Sequence, residues 1–188
     1  MYKAKHVRSI SVLSKAKQIL DHKSLHILYC SLISPYLQYC AEVWGNTYKC
    51  TIQSLSILQK RAIRIIHNTG YRDHTNSLFL KSKTLKFTDL VHFQTAQIMY
   101  KAKNNLLPSN IQKLFFYRVG GYNLRGEFNL KHQRARTTLK SLFFCLSVSG
   151  VRLWNRLGVG LKQCPSMIQF KKRFKHMVFT RYREEEGL

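Results

Sequence analysis

From residue 9 onward, apolar side chains return at steps of three and four. This period restricts the fold more than any single motif does. SISVLSKAKQIL (9 to 20) sets Ile10, Leu13, Ala16 and Leu20 along one line. Ser24 is placed to cap a following helix with Leu25, Leu28, Tyr29 and Leu32 on one side. Pro35 then either starts a new helix behind Ser34 or kinks a longer one running to Trp44. A third helix spans about 50 to 68 and stops at Asn68-Thr69-Gly70. Thr88 caps a fourth over DLVHFQTAQIMYKAKN, which Asn104-Asn105 ends, and Pro108 opens a short one over PSNIQKLFF. The expected fold is mainly α: a helical bundle, a short irregular or β segment, and a C-terminal basic helix. The expected limits are 1–118 for the helical domain, 119–164 for an irregular, short-strand wrapping segment, and 165–188 for the basic amphipathic helix and its acidic tail.

Periodicity fades after Gly120-Gly121, where NLKHQRARTTLKSLFFCLSVSG reads as one or two short strands. It returns in VRLWNRL and in SMIQFKKRFKHMVFTRY. There Ser166 and Gln169 have capping-box spacing, and Met167, Phe170, Phe174 and Val178 form a stripe.

Charge narrows the partners. The chain holds 32 Lys and Arg against 8 Asp and Glu, a net charge of 32 − 8 = +24. Solubility needs far less, and such an excess attracts polyanions. Between Glu127 and Glu184 every acid is missing, and none lies between Tyr48 and Tyr71. The second gap contains SLSILQKRAIRIIHN (54 to 68). Its helical projection gathers Leu55, Leu58, Ala62, Ile65 and Ile66 on one side, and Lys60, Arg61, Arg64 and His67 on the other, with Ile57 among the cations. Phosphates recur along a nucleic-acid backbone, so a helical row of cations engages several at once. Lys171, Lys172, Arg173 and Lys175 repeat the arrangement on the last helix, and Arg134 and Arg136 add cations between. Nucleic acid, with no choice between RNA and DNA, is the partner these residues favour; an anionic membrane surface is the alternative for the last helix.

Other chemistry is thinly represented. The acids before the tail (Asp21, Glu42, Asp73, Asp89, Glu127) are scattered, which does not suit two-metal phosphoryl transfer. His22, His26 and Cys30 share one helical face, but no fourth ligand is evident, so neither metal nor cofactor is expected. Five cysteines in no framework spacing, with no apolar leader, suggest an intracellular, reducing setting. The apolar run ILYCSLISPYLQYCAEVW (27 to 44) carries Ser31, Ser34, Gln38, Glu42 and a central proline, so it reads as a buried helix pair and not as a membrane span.

Several blocks occur together in order: HKSLHILYCSLISPYLQYCAEVWGNTYK, LSILQKRAIRIIHN, HTNSLF, IMYKAKNNLLPSNI, YNLRGEF and RLWNRL. This series resembles the region downstream of the polymerase core in non-LTR retrotransposon reverse transcriptases, particularly jockey-like and CR1-like LINE elements. The likeness rests on Ser34, Pro35, Tyr36, Leu37, Tyr39, Val43, Trp44 and Gly45, and on Leu58, Gln59, Lys60, Arg61, Ile63, Arg64, Ile65 and Ile66. It departs at GGYNLRG and SGVRLWN, where the family reads HNYNTR-like and G-P-x-L-W-N. The resemblance implies a thumb gripping the template–primer duplex. The catalytic aspartates of such an RNA-directed DNA polymerase would lie in a separate palm, so the chain is expected not to be an enzyme by itself. A remnant without selected function is the alternative from another class. Residues around 9 to 45 also resemble a segment named after AlkB-type tRNA-modifying dioxygenases. None of the eight histidines starts the His-x-Asp that their iron site needs, so that activity is not expected.

Overall fold

The computed structural model describes residues 2–45, 49–116, 129–131 and 146–187. Among them the chain is mainly helical: α1 (Tyr2–Ala16), α2 (His22–Leu32), α3 (Ser34–Gln38), α4 (Ala41–Trp44), α5 (Lys49–Ile66), α6 (Asn76–Lys81), α7 (Phe87–Lys103), α8 (Ser109–Gln112), α9 (Leu146–Arg156), α10 (Val159–Lys162) and α11 (Met167–Glu186). The apolar run 27 to 44 is divided among α2, α3 and α4. No helix among the described residues is long and apolar enough to cross a membrane.

Two compact units form, and neither is one continuous stretch. The first comprises Met1–Cys40, Lys49–Leu90 and Met177–Leu188; the second comprises Ala41–Tyr48 and Val91–His176. In the first, α5 packs against α1, α2 and α6, and its buried side carries Leu55, Gln59, Ala62, Ile63 and Ile66. Leu58 and Ile65, expected inside, are only half-buried. The helix is turned slightly because a polar residue holds the centre. Gln59 Nε2 donates to the Tyr29 hydroxyl and to the Leu85 carbonyl, both at 3.0 Å, and the amide is 2% exposed. Burial pushes the Tyr29 hydroxyl up to about 12, so it stays a neutral partner. Asp89 forms a second buried polar centre in this unit: it accepts from the Tyr182 hydroxyl and from Arg181.

Several helix ends differ from expectation. Asp21, not Ser24, caps α2, its carboxylate accepting from the backbone N–H groups of Lys23 and Ser24 at 3.3 Å. A carboxylate at a helix N-terminus also meets the positive end of the dipole, which a hydroxyl one turn in does not. α7 begins at Phe87, so Thr88 lies inside its first turn and not at its cap. Pro35 sits in the first turn of a separate short helix, α3. Asn68 and Asn105 end α5 and α7 in the left-handed region (φ 53° and 55°), as their sequence positions suggest.

The second unit is built on aromatic contacts. Phe170 lies 4.8 Å from Tyr100 and 6.1 Å from Phe174, centroid to centroid, and Trp154 is fully buried nearby. Gly150 lets α9 settle on α7, since a β-carbon there would come within 2.9 Å of Met99 Sδ. The strand expected over 129–150 is replaced at its C-terminal end by the first turn of α9; 132–145 lie outside the described residues. Leu130 is nonetheless held as a strand neighbour would hold it. Its N–H donates to Asn155 Oδ1 and its carbonyl accepts from Asn155 Nδ2, each at 3.0 Å. Lys162, 4% exposed and with its pKa lowered by burial, donates to Asn129 and to the Asn155 carbonyl.

Replacing Asp89 with Ala leaves the buried Tyr182 O–H without its acceptor and Arg181 without its partner, and should lower the unfolding free energy by about 2–4 kcal/mol. Glu185→Gln, at a half-exposed pair with Lys86, should change it by less than about 0.5 kcal/mol. Urea denaturation of both variants checks the contrast.

Candidate nucleic-acid interface

The buried position of Gln59 fixes which side of α5 meets solvent. Lys60 and Arg61 are exposed, with Ile57, 55% exposed, one turn before them. Arg64 continues the row but is engaged: its Nε donates to the Asp73 carbonyl at 2.9 Å. The Asp73 carboxylate in turn accepts from the Gly70 N–H at 2.6 Å, closing a tight turn over 70–73. That turn holds Tyr71 77% exposed beside exposed Arg72. An aromatic face next to a cation is a surface on which a base can stack. The sequence reading missed Tyr71 and Arg72, because the link to Arg64 that places them is a tertiary contact. The Arg-Asp pair within TGYRD was the available signal.

His67 leaves the row. Its Nε2 lies 2.6 Å from Ser82 Oγ and its Nδ1 3.2 Å from His22 Nε2. Burial first, then His22, Lys81 and His26, hold its pKa below the usual imidazole value. With its pKa lowered, the ring favours the neutral form in this arrangement.

In the second unit, α11 buries Phe170 and Phe174 and exposes Lys171, Lys172 and Lys175. Lys175 Nζ stands 5.4 Å from the centroid of the Phe93 ring. Arg173 is partly committed, its Nη1 donating to the Gly160 carbonyl at 3.0 Å. Arg134 and Arg136 lie outside the described residues.

The acids explain why these cations stay uncompensated. Asp21 caps α2, Asp73 closes its turn, and Asp89 binds Tyr182 and Arg181. Among the described residues, ion pairs involve only Lys86 and Arg181, with Asp89 and Glu185. Among the described residues no acid lies within ion-pair distance of Lys60, Arg61, Lys171 or Lys172, so their field extends into solvent. Also among the described residues, no group of three or more His, Cys, Asp or Glu is placed to hold a metal ion. His26 Nδ1 meets Cys30 Sγ at 3.8 Å, while His22 turns to His67.

No family model, curated protein or solved structure matches the chain.

Because the folded pKa of His67 is below its unfolded value, the unfolded chain binds more protons as pH drops under about 6.5. Stability present above that pH should be lost as pH falls toward the lowered folded value. Denaturation in phosphate-free buffer between pH 7.5 and 5 checks this, and His67→Gln should flatten the slope.

Proposed function

We propose that this chain is a nucleic-acid-binding module that grips a duplex through phosphate contacts, without catalysis of its own. The carrying observation is the pair of acid-free cation rows: Lys60 and Arg61 on α5, and Lys171, Lys172 and Lys175 on α11. Of the described acids, Asp21 caps α2, Asp73 closes its turn, and Asp89 and Glu185 pair with Lys86 and Arg181. Cations of this kind contribute affinity and little sequence preference, since phosphate oxygens are alike in every sequence. Arg64 has a positioning part, holding the turn that displays Tyr71. The order of blocks from His22 to Leu157 supports a thumb-like role beside a polymerase palm in another protein or segment.

An anionic membrane surface suits α11 less well. A helix lying in a lipid interface needs its apolar face free. Here Phe170, Phe174 and Val178 are each at most 2% exposed, buried within protein.

Anisotropy titration of labelled RNA–DNA hybrid and duplex DNA against a salt series tests the proposal. Affinity should fall steeply with salt and be insensitive to sequence. Lys60→Gln with Arg61→Gln should reduce the log–log slope by about 1.8, since each lost phosphate contact removes about 0.9. Salt-independent or absent binding overturns the reading.

A further inference from the structure

A pocket of about 310 Å³ opens in the first unit between the start of α2 and the end of α6. It is lined by His22, Lys23, His26, Ile27, Lys81 and Ser82. The lining contains two lysines and two imidazoles, and no carboxylate. Asp21, the acid adjacent in sequence, is turned to the backbone N–H groups of Lys23 and Ser24. One polar atom of the lining is unmatched: His26 Nε2 is shielded from solvent and has no hydrogen-bond partner. This combination repels cations and receives anions. The volume falls at the lower end of ligand pockets, about 300–1,000 Å³, which leaves room for an organic group beside an oxyanion. Ile27, 66% exposed, supplies an apolar wall for that group.

The hydrogen bonds behind the pocket run in one direction. Ser82 Oγ donates to the Leu78 carbonyl at 2.8 Å, so it accepts from His67 Nε2–H. That tautomer leaves His67 Nδ1 bare to accept from His22 Nε2–H. Each ring therefore has one nitrogen engaged as a donor. The charged and titratable groups around His22 are His67 from α5, Lys81 from α6, and Asp21, Lys23 and His26 from its own end of α2.

We propose that this pocket binds a phosphate monoester, held by the ammonium groups of Lys23 and Lys81 between the His22 and His26 rings. The site is independent of the duplex-binding rows, since none of Lys60, Arg61, Lys171, Lys172 or Lys175 lines it.

The test uses the full chain, with adenosine 5′-monophosphate, adenosine, inorganic phosphate and sulfate as probes, followed by calorimetry and by the histidine ring resonances. The monophosphate should bind saturably and shift the ring signals of His22 and His26, while adenosine should not. Inorganic phosphate and sulfate should compete with the monophosphate for the site. Lys81→Gln, at an exposed position, should weaken the monophosphate at least fivefold with an unchanged circular dichroism spectrum. Lys60→Gln with Arg61→Gln should leave this binding unchanged, so loss of duplex affinity and loss of pocket affinity are separate outcomes. Monophosphate binding that is absent, or unaffected by Lys81→Gln, overturns the proposal. So does stoichiometric Zn²⁺ binding at His22 and His67 that phosphate does not perturb.

Discussion

Both hydrogens of the Gln59 amide are used inside the first unit, one on the Tyr29 hydroxyl of α2 and one on the Leu85 carbonyl before α7. A buried amide with good partners is nearly neutral in net energy, yet a misaligned one leaves costly unsatisfied groups. That asymmetry makes it a register pin. Once Gln59 faces inward, the helical turn leaves Lys60 and Arg61 no direction but outward, with Ile57 one turn before them. The same phase carries His67 toward α2 and α6, where it meets His22 and Ser82. The cation row and the histidine relay are thus two consequences of one hydrogen-bonded residue.

The few acids of the chain act locally. Asp21 meets a helix N-terminus, Asp73 closes a turn, and Asp89 joins Arg181 and Tyr182 in a buried cluster. Burial and the adjacent Asp89 carboxylate both push the Tyr182 hydroxyl pKa up, so it remains a donor. None of these three is paired with Lys60, Arg61 or the exposed lysines of α11. With 32 basic residues against 8 acidic ones, the surplus charge remains on the surface.

Legibility varied with the range of the interaction. Asn68 and Asn105 were readable as helix ends because a left-handed residue is a local requirement. The stripe Phe170, Phe174 and Val178 was readable because burial on a long helix follows its period. Ser24 and Thr88 were misjudged as caps, since several hydroxyls and carboxylates compete near each end and local sequence does not rank them. Leu58 and Ile65 were placed too deep because Gln59 counts as polar in any pattern. Its partners lie 30 and 26 residues away. The LSVSG turn of α9 looked like strand, since Val and Ser favour helix weakly, yet it forms the buried first turn of α9, with Ser147, Val148 and Gly150 inside.

The sequence by itself determined a mainly helical chain, a large positive charge, and the rows Lys60–Arg61 and Lys171–Lys175, because periodicity and charge are properties of neighbours along the chain. Tertiary structure decided which members of those rows are engaged. Arg64 went to the Asp73 carbonyl, Arg173 to the Gly160 carbonyl, and His67 to Ser82 and His22. It also displayed Tyr71 and assembled the pocket between α2 and α6. These outcomes depend on groups distant in sequence meeting at hydrogen-bond distance, which no local pattern encodes.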